Sequence, residues 1–225
     1  MKSIILLSGG LDSLVSCGLK KNDIELAITF DYGQKSVRKE INASKKICNY
    51  YGIKHKVIKL DLLKEITSTA LVSDDDVPCV NLDDEETCKN SAKSVWVPNR
   101  NGLFLNIAAA YCDSFGYKEI IIGANAEEAK TFPDNTSEFI ARINKTFEYS
   151  TLVKPIIVAP LINFDKNGIV KTAKENNIPL TLVQSCYNSD DGHCGQCESC
   201  KRLKRALAEN ECFDLIKEIF GNDEN

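Results

Sequence analysis

The sequence predicts an α/β fold, a mostly parallel sheet with helices on both faces, followed by a cysteine-rich carboxy-terminal module. Three observations carry this expectation. The chain opens MKSIILLSGGLDS, an aliphatic run at residues 4–7 that stops at Ser8-Gly9-Gly10 before Asp12 and Ser13 open an apolar-periodic segment. That order is a buried strand, a tight glycine turn and a helix start. Two more strand-like runs follow, separated from it and from each other by helix-length segments, which describes a βαβαβ unit with right-handed crossovers. Four cysteines then crowd into SCYNSDDGHCGQCESC at residues 185–200.

The elements follow in order. The first helix is expected over residues 11–19, and the apolar run at 24–30 reads as the second strand, ending in Asp31-Tyr32-Gly33-Gln34. Residues 37–51 have helical spacing and stop at Gly52, a natural left-handed terminator. Residues 54–60 alternate polar and apolar, as a third strand would. Between 73 and 93 the pattern dissolves into an acidic stretch, read as a surface loop. A helix rich in small apolar residues at 103–115 leads to a strand at 119–123. A helix at 138–149, a strand at 155–159 and a helix from an Asp165 cap to about residue 175 complete the body, and a last helix begins near Glu198. There is no internal repeat, low-complexity tract or linker. The economical division is a body at residues 1–180 and a carboxy-terminal module with its helices at 181–225.

Composition narrows the classes. At 225 residues, 43% hydrophobic and 27% charged, the chain can bury a sizeable core. Met1-Lys2 runs straight into a strand-like stretch with no cleavage-site pattern, and no apolar run approaches the ~20 residues that span a bilayer. The expected location is the cytoplasm, away from membranes. A net charge of −4 argues against a large nucleic-acid surface, because phosphate neutralisation dominates such binding. Ten cysteines need another explanation than disulfides in a reducing compartment. Cys17, Cys48, Cys79, Cys88, Cys112 and Cys212 lack ligand spacing and read as small buried hydrophobes.

The remaining four, Cys186, Cys194, Cys197 and Cys200, form Cys-x7-Cys-x2-Cys-x2-Cys. Each CxxC turn presents two sulfurs to one ion, and four thiolates suit tetrahedral Zn²⁺. Iron–sulfur ligation is the rival reading. His193 could compete as a ligand, but four thiolates already fill the shell. A zinc closed by four protein ligands has no position for water or substrate, so one structural Zn²⁺ per chain is expected. It would pin the helix carrying Lys201, Arg202, Lys204 and Arg205 to the body.

The glycine loop at the amino terminus is a phosphate cradle. Two glycines let backbone N–H groups converge on an anion, and the helix behind them supplies unpaired donors and the positive end of a dipole. No Gly-Lys-Ser/Thr follows, so the loop is not of the Walker type. It resembles the SGGxDS signature of the ATP pyrophosphatases (the PP-loop superfamily), enzymes that cleave ATP between its α and β phosphates. Four further segments narrow the resemblance: TFDYGQ at 29–34, VPNRN at 97–101, GANAEEAKTFPD at 123–134 and the cysteine module at 185–200. In this order and at these separations, they are similar to the 7-cyano-7-deazaguanine synthase (QueC) family, from residue 2 to about 207.

The resemblance implies a Rossmann-like fold of the adenine nucleotide alpha hydrolase type. It also implies an ATP-dependent carbon–nitrogen ligase that takes 7-carboxy-7-deazaguanine and ammonia to 7-cyano-7-deazaguanine, a precursor of the tRNA bases queuosine and archaeosine. ATP with Mg²⁺ is the implied co-substrate and a homodimer the implied assembly. Ser8, Gly9, Gly10, Leu11, Asp12 and Ser13 would hold the phosphates, with Leu14, Val15, Ser16, Cys17 and Gly18 supporting them. Tyr32, Gln34, Arg100, Phe132 and Asp134 would meet the deazaguanine substrate: Arg100 through its carboxylate, Asp134 through its guanine-like edge and Phe132 by stacking. Asp12, Arg100, Asp134 and Lys166 are the catalytic candidates, Lys166 by reaching a phosphate.

Three places depart from the family pattern: Lys35-Ser36-Val37 replaces the usual His after YGQ, Asn135-Thr136 replaces Cys-Arg after PD, and Asn167-Gly168 replaces an acidic residue. All three fall at the substrate side. They leave open a related PP-loop adenylating enzyme, such as a tRNA thiolation or lysidine enzyme or a deazaguanine ligase with another acceptor. A non-catalytic nucleotide-binding module is the alternative of a different class.

Overall fold

In a computed structural model, which describes residues 1–72, 94–188 and 192–221, the chain alternates strands and helices. β1 (Ser3–Leu6), α1 (Leu11–Lys20), β2 (Ile24–Asp31), α2 (Val37–Tyr51), β3 (Lys54–Lys59) and α3 (Asp61–Glu65) form the first half. α4 (Arg100–Phe115), β4 (Glu119–Ile121), α5 (Ala126–Ala129), α6 (Ser137–Ser150), β5 (Ile156–Val158) and α7 (Lys166–Glu175) form the second, and α8 (Glu198–Glu209) and α9 (Phe213–Phe220) close it. The acidic stretch expected as a loop at 73–93, with Cys79 and Cys88, lies outside the described residues.

The five strands make one sheet in the order β3-β2-β1-β4-β5, and every neighbouring pair is parallel. The pleat sorts its side chains. Ile5 and Ile121 join one core with Leu14 of α1, Ile47 of α2, Ile169 of α7 and Leu203 of α8. Ile4 and Ile120, one residue earlier in each strand, join the opposite core with Leu105 of α4 and Phe147 of α6. Successive residues of a strand face opposite sides, so apolar strands buried on both faces dictate two helical layers.

The carboxy-terminal helices belong to the first of these cores. Leu203, Ala206 and Leu207 of α8 are buried beside α1 and α7, where each leucine contributes about 1.5–3 kcal/mol. Elsewhere the expected boundaries shift by a few residues. α4 begins at Arg100, three residues before the apolar run, because Asn99 turns the chain into it with φ 51°. β4 stops at Ile121, just before the backbone at Gly123 closes on α1. The short α3 and α5 were not expected, being too brief to show a period. Among the described residues, no helix is long and apolar enough to cross a membrane.

β1 lies at the centre, and the chain leaves it first towards β2 and β3 and later towards β4 and β5. The loops after β1 and β4 therefore part at the carboxyl ends of the strands, where open α/β sheets collect ligands.

Candidate active site and metal centre

The loop after β1 is shaped by close packing. Gly9 takes φ +81°, and a Cβ there would stand 2.5 Å from the Ala43 Cβ. Gly123, in the loop after β4, presses on the start of α1: a Cβ would lie 2.7 Å from the Ser13 backbone nitrogen. Both positions thus require glycine, one for its conformation and one for its lack of bulk. The Ser13 hydroxyl donates to the Gly10 carbonyl (3.0 Å) and lies 3.3 Å from Ser8 Oγ. The first-turn N–H groups of α1 have no acceptor within the helix, and they face a cavity of about 280 Å³ lined by Ser8, Gly10, Asp12, Ser13 and Lys166.

One charge cluster floors this cavity. Lys166, the first residue of α7, sends its ammonium to Asp12 Oδ2 (2.7 Å) and Glu128 Oε1 (2.9 Å). Asn125 braces the same carboxylates: its amide nitrogen donates to Asp12 Oδ2 (3.2 Å), while its oxygen accepts from the Glu128 N–H as the cap of α5. Burial disfavours the Lys166 ammonium, but Asp12 and Glu128 outweigh it and push its pKa up, so the charge stays. Burial also pushes the Asp12 carboxyl up, against the pull of Lys166. For Glu128 burial opposes ionisation as well, yet the ammonium wins and holds the pKa down. Asp12 Oδ1 is buried and has no partner. An orphaned carboxylate oxygen beside a phosphate cradle is the donor a hard divalent cation takes, so these residues fit Mg²⁺.

The other end of the cavity is aromatic. Phe30 and Phe104 stack at 3.9 Å, and Tyr32 tilts against Phe104 at 5.7 Å. Arg100 donates from Nη1 to the Tyr32 hydroxyl (3.3 Å), and its guanidinium lies 5.9 Å from the ring centroid. Gln34 sits behind this wall. Its oxygen accepts the Tyr32 N–H, and its nitrogen donates to the Phe30 carbonyl and to Glu40. Burial pushes Glu40 up, with Ser36 and Gln34 opposing through hydrogen bonds.

At the carboxy terminus, Cys186, Cys194, Cys197 and Cys200 bring their sulfurs within 4.8 Å of one another. A tetrahedron with ~2.3 Å metal–sulfur bonds has edges of about 3.8 Å, so four sulfurs already gathered this closely fit one ion. Backbone amides support them: the Cys194 N–H donates to Cys186 Sγ (3.4 Å) and the Cys197 N–H to Cys194 Sγ (3.3 Å). His193 turns to another use, accepting the Ser185 N–H on Nε2 (3.2 Å) with its ring edge on Phe220. The loop preceding the cluster touches the cradle directly, since the Gln184 N–H donates to the Gly9 carbonyl (2.8 Å). Tyr187, adjacent to Cys186, lines the cavity.

A family profile described as "Queuosine biosynthesis protein QueC" matches residues 2–211. The chain belongs to the QueC family. A relative from Carboxydothermus hydrogenoformans named 7-cyano-7-deazaguanine synthase is 51% identical over 213 residues, covering 93% of this chain and 99% of the relative. One of the same name from Methanosarcina barkeri is 46% identical over 230 residues, covering 98% and 100%. Among solved structures, NMN synthetase from Francisella tularensis aligns with 99% of this chain and 85% of its own at 14% identity and a TM-score of 0.47, a likeness too weak to argue from.

Within this QueC chain, the residues singled out from sequence fall into three groups. Ser8, Gly10, Leu11, Asp12, Ser13, Lys166, Tyr32 and Arg100 line one cavity. Leu14, Val15, Ser16, Cys17 and Gly18 are buried in the body of α1 behind it, and Gln34 is buried behind Tyr32. Phe132 lies outside the lining and stacks at 6.2 Å on Trp96, and Asp134 also stands off the wall, its oxygen accepting from the side chain of its neighbour Asn135 (3.4 Å). Sequence reasoning did not single out Asn125, Glu128, Glu40 or Tyr187. The first two stand inside GANAEEAKTFPD, and an Asn three residues before a Glu is a capping signal that could have marked them. Cys17, Cys48, Cys112 and Cys212 are buried, as small hydrophobes would be.

Proposed function

We propose that this chain is an ATP-dependent ligase that makes 7-cyano-7-deazaguanine from 7-carboxy-7-deazaguanine and ammonia. Membership of the QueC family supports the reaction, and the arrangement of Asp12, Lys166 and the SGGLDS amides in one cavity with Arg100 supports the chemistry. That juxtaposition carries the reading: an anion cradle at one end, a guanidinium among aromatic rings at the other.

A carboxylate is a poor electrophile. Its oxygen attacks the α-phosphorus of ATP, the bond to the bridging oxygen breaks, and pyrophosphate leaves into the cradle of Ser8, Gly9, Gly10 and Ser13. Lys166 and the amides of α1 stabilise the charge that develops there. Ammonia then adds to the acyl carbon, AMP leaves and a proton is lost, giving the amide. The amide oxygen attacks a second ATP in the same way, and loss of AMP with the remaining N–H protons forms the nitrile. Arg100, with its fixed fork of donors, pairs with the carboxylate and then with the α-phosphate. Tyr32 and Phe104 line the end of the cavity that receives the heterocycle, and the family resemblance assigns Asp134 and Phe132 to the same substrate. Asp12 would hold Mg²⁺, which would supply positive charge to the phosphates. Gln34 acts by fixing Tyr32.

The four cysteines hold one structural Zn²⁺, which organises residues 181–225 against the body at 1–180. The enzyme works as a homodimer in the cytoplasm, whose reducing conditions keep these thiols available to metal; it grips no nucleic acid. The test is exchange of labelled pyrophosphate into ATP. Wild type should catalyse exchange only when 7-carboxy-7-deazaguanine is present, and Asp12→Ala should lower it at least about a hundredfold, the scale set by loss of a transition-state electrostatic contact. Exchange undiminished in Asp12→Ala would move the site elsewhere.

A further inference from the structure

The mechanism uses Lys166 but leaves unexplained what holds α7 so that its first residue meets Asp12. The answer lies in an ion cluster beside the cavity floor, shared with the helix that follows the cysteines, whose Arg202 also lines the cavity. Glu127 Oε1 accepts the backbone N–H of Lys166 (2.9 Å) and a guanidinium proton of Arg205 (3.0 Å). Its Oε2 accepts from Arg202 Nη1 (2.6 Å). Arg202 in turn grips Glu198, the first residue of α8, from Nε (3.0 Å) and Nη2 (2.7 Å). The Glu127 side chain is 14% exposed and that of Arg202 21%, so the pair is shielded enough for geometry to matter.

We infer that Glu127 is a positioning residue that locks the amino-terminal end of α7, and with it Lys166, to the cysteine-bearing helix α8. Glu127 adjoins Glu128, the second carboxylate on the Lys166 ammonium, so the two side chains hold the lysine at both ends: one at its backbone, one at Nζ. A second tie runs in parallel, because Asn210, at the end of α8, donates to the backbone carbonyl of Asn167 (3.1 Å). Two of the four cysteines, Cys197 and Cys200, sit at the start of α8. Order in the cysteine cluster is therefore passed to the phosphate end of the cavity through Glu198, Arg202 and Glu127. The side-chain charges alone would serve for stability anywhere on the surface; what assigns a positioning role is that the same carboxylate bonds the main chain of the lysine.

This inference rests on the proposed role of Lys166 at the ATP phosphates, and its test separates the two. Binding of Mg²⁺ with α,β-methylene-ATP is measured by calorimetry for wild type, Glu127→Gln, Lys166→Ala and the double variant, with metal content and melting temperature recorded for each. Glu127→Gln should weaken binding about five- to tenfold, the coupling expected of residues in one network, with metal content unchanged. In the Lys166→Ala background the same change should have no further effect. Arg202→Lys, which keeps the charge but not the fork, should weaken binding in the same direction and without adding to Glu127→Gln. Equal losses in both backgrounds, or no loss from Glu127→Gln, would overturn the positioning role. Lys166→Ala binding the analogue as wild type does would overturn it too. Failure of the ligase reading shows separately, as absent substrate-dependent pyrophosphate exchange in wild type.

Discussion

At the residue scale, the site is a set of charges gathered where two helices start, with Lys166 and Asp12 largely buried. Asp12 and Ser13 were legible because SGGLDS states the cradle in consecutive residues, and Lys166 because a lysine at a capped helix start points to a phosphate. Asn125 and Glu128 were not, since the partner of Asn125, Asp12, lies more than a hundred positions away and that of Glu128, Lys166, lies in a different helix, and only the fold brings them together. A second, half-buried polar pair makes a pH prediction. Thr29 donates its hydroxyl proton to the Leu7 carbonyl (2.6 Å), so His55 Nε2, 2.8 Å from Thr29 Oγ1, is the donor in that contact. Burial, with Lys45 adding to it, pushes the His55 pKa below its usual value. As pH falls through about 6.5 the unfolded chain gains this proton before the folded one does, so the stability that neutral His55 provides above that pH is lost below it. The melting-temperature advantage of wild type over His55→Gln should therefore be largest near pH 8 and shrink by pH 5.5. An advantage constant across that range would mean the histidine does not titrate with folding.

At the scale of elements, the decisive one is α8. Its start was readable from the CxxC spacing, and its basic residues were visible, but nothing local says that Leu203, Ala206 and Leu207 enter the main core or that Arg202 turns inward to Glu127. A helix-period pattern reveals that one face is buried, not what covers it. The same limit applied to α4, where the apolar run hid the first turn, Arg100, Asn101 and Gly102. Cys197→Ser removes a fully buried sulfur from the cluster at the start of α8. It should abolish bound metal and lower the melting temperature by about 5 °C or more, at roughly 2–4 °C per kcal/mol for a chain of this size. Metal analysis with a thermal melt reads both. Unchanged metal stoichiometry would contradict four-thiolate ligation. Leu207→Ala, in the same helix but away from the cysteines, should cost about 2–5 kcal/mol while leaving the metal in place, as a denaturant titration with metal analysis would show.

At the scale of the whole molecule, one parallel sheet places two helix starts, α1 and α7, and the loop after β4 around a single cavity, and the carboxy-terminal helices share the core beneath it. Alternating strand and helix patterns made this α/β order legible, because strands buried on both faces must be apolar throughout. The substrate side was less legible: the Ser36 departure bonds Glu40 beside Gln34, whereas Asn135 and Thr136 bond Asp134 and Pro133 within their own turn, and no local pattern in the sequence states either arrangement. The central claim is that this cavity activates a carboxylate with ATP and carries it to a nitrile. The most direct measurement is mass spectrometry of the metal-loaded protein with Mg-ATP, ammonium and 7-carboxy-7-deazaguanine, following amide, nitrile and AMP together. The account predicts transient amide, then nitrile, with two AMP for each nitrile formed. AMP that appears without either nitrogen product, or no AMP dependent on the acid, would contradict it.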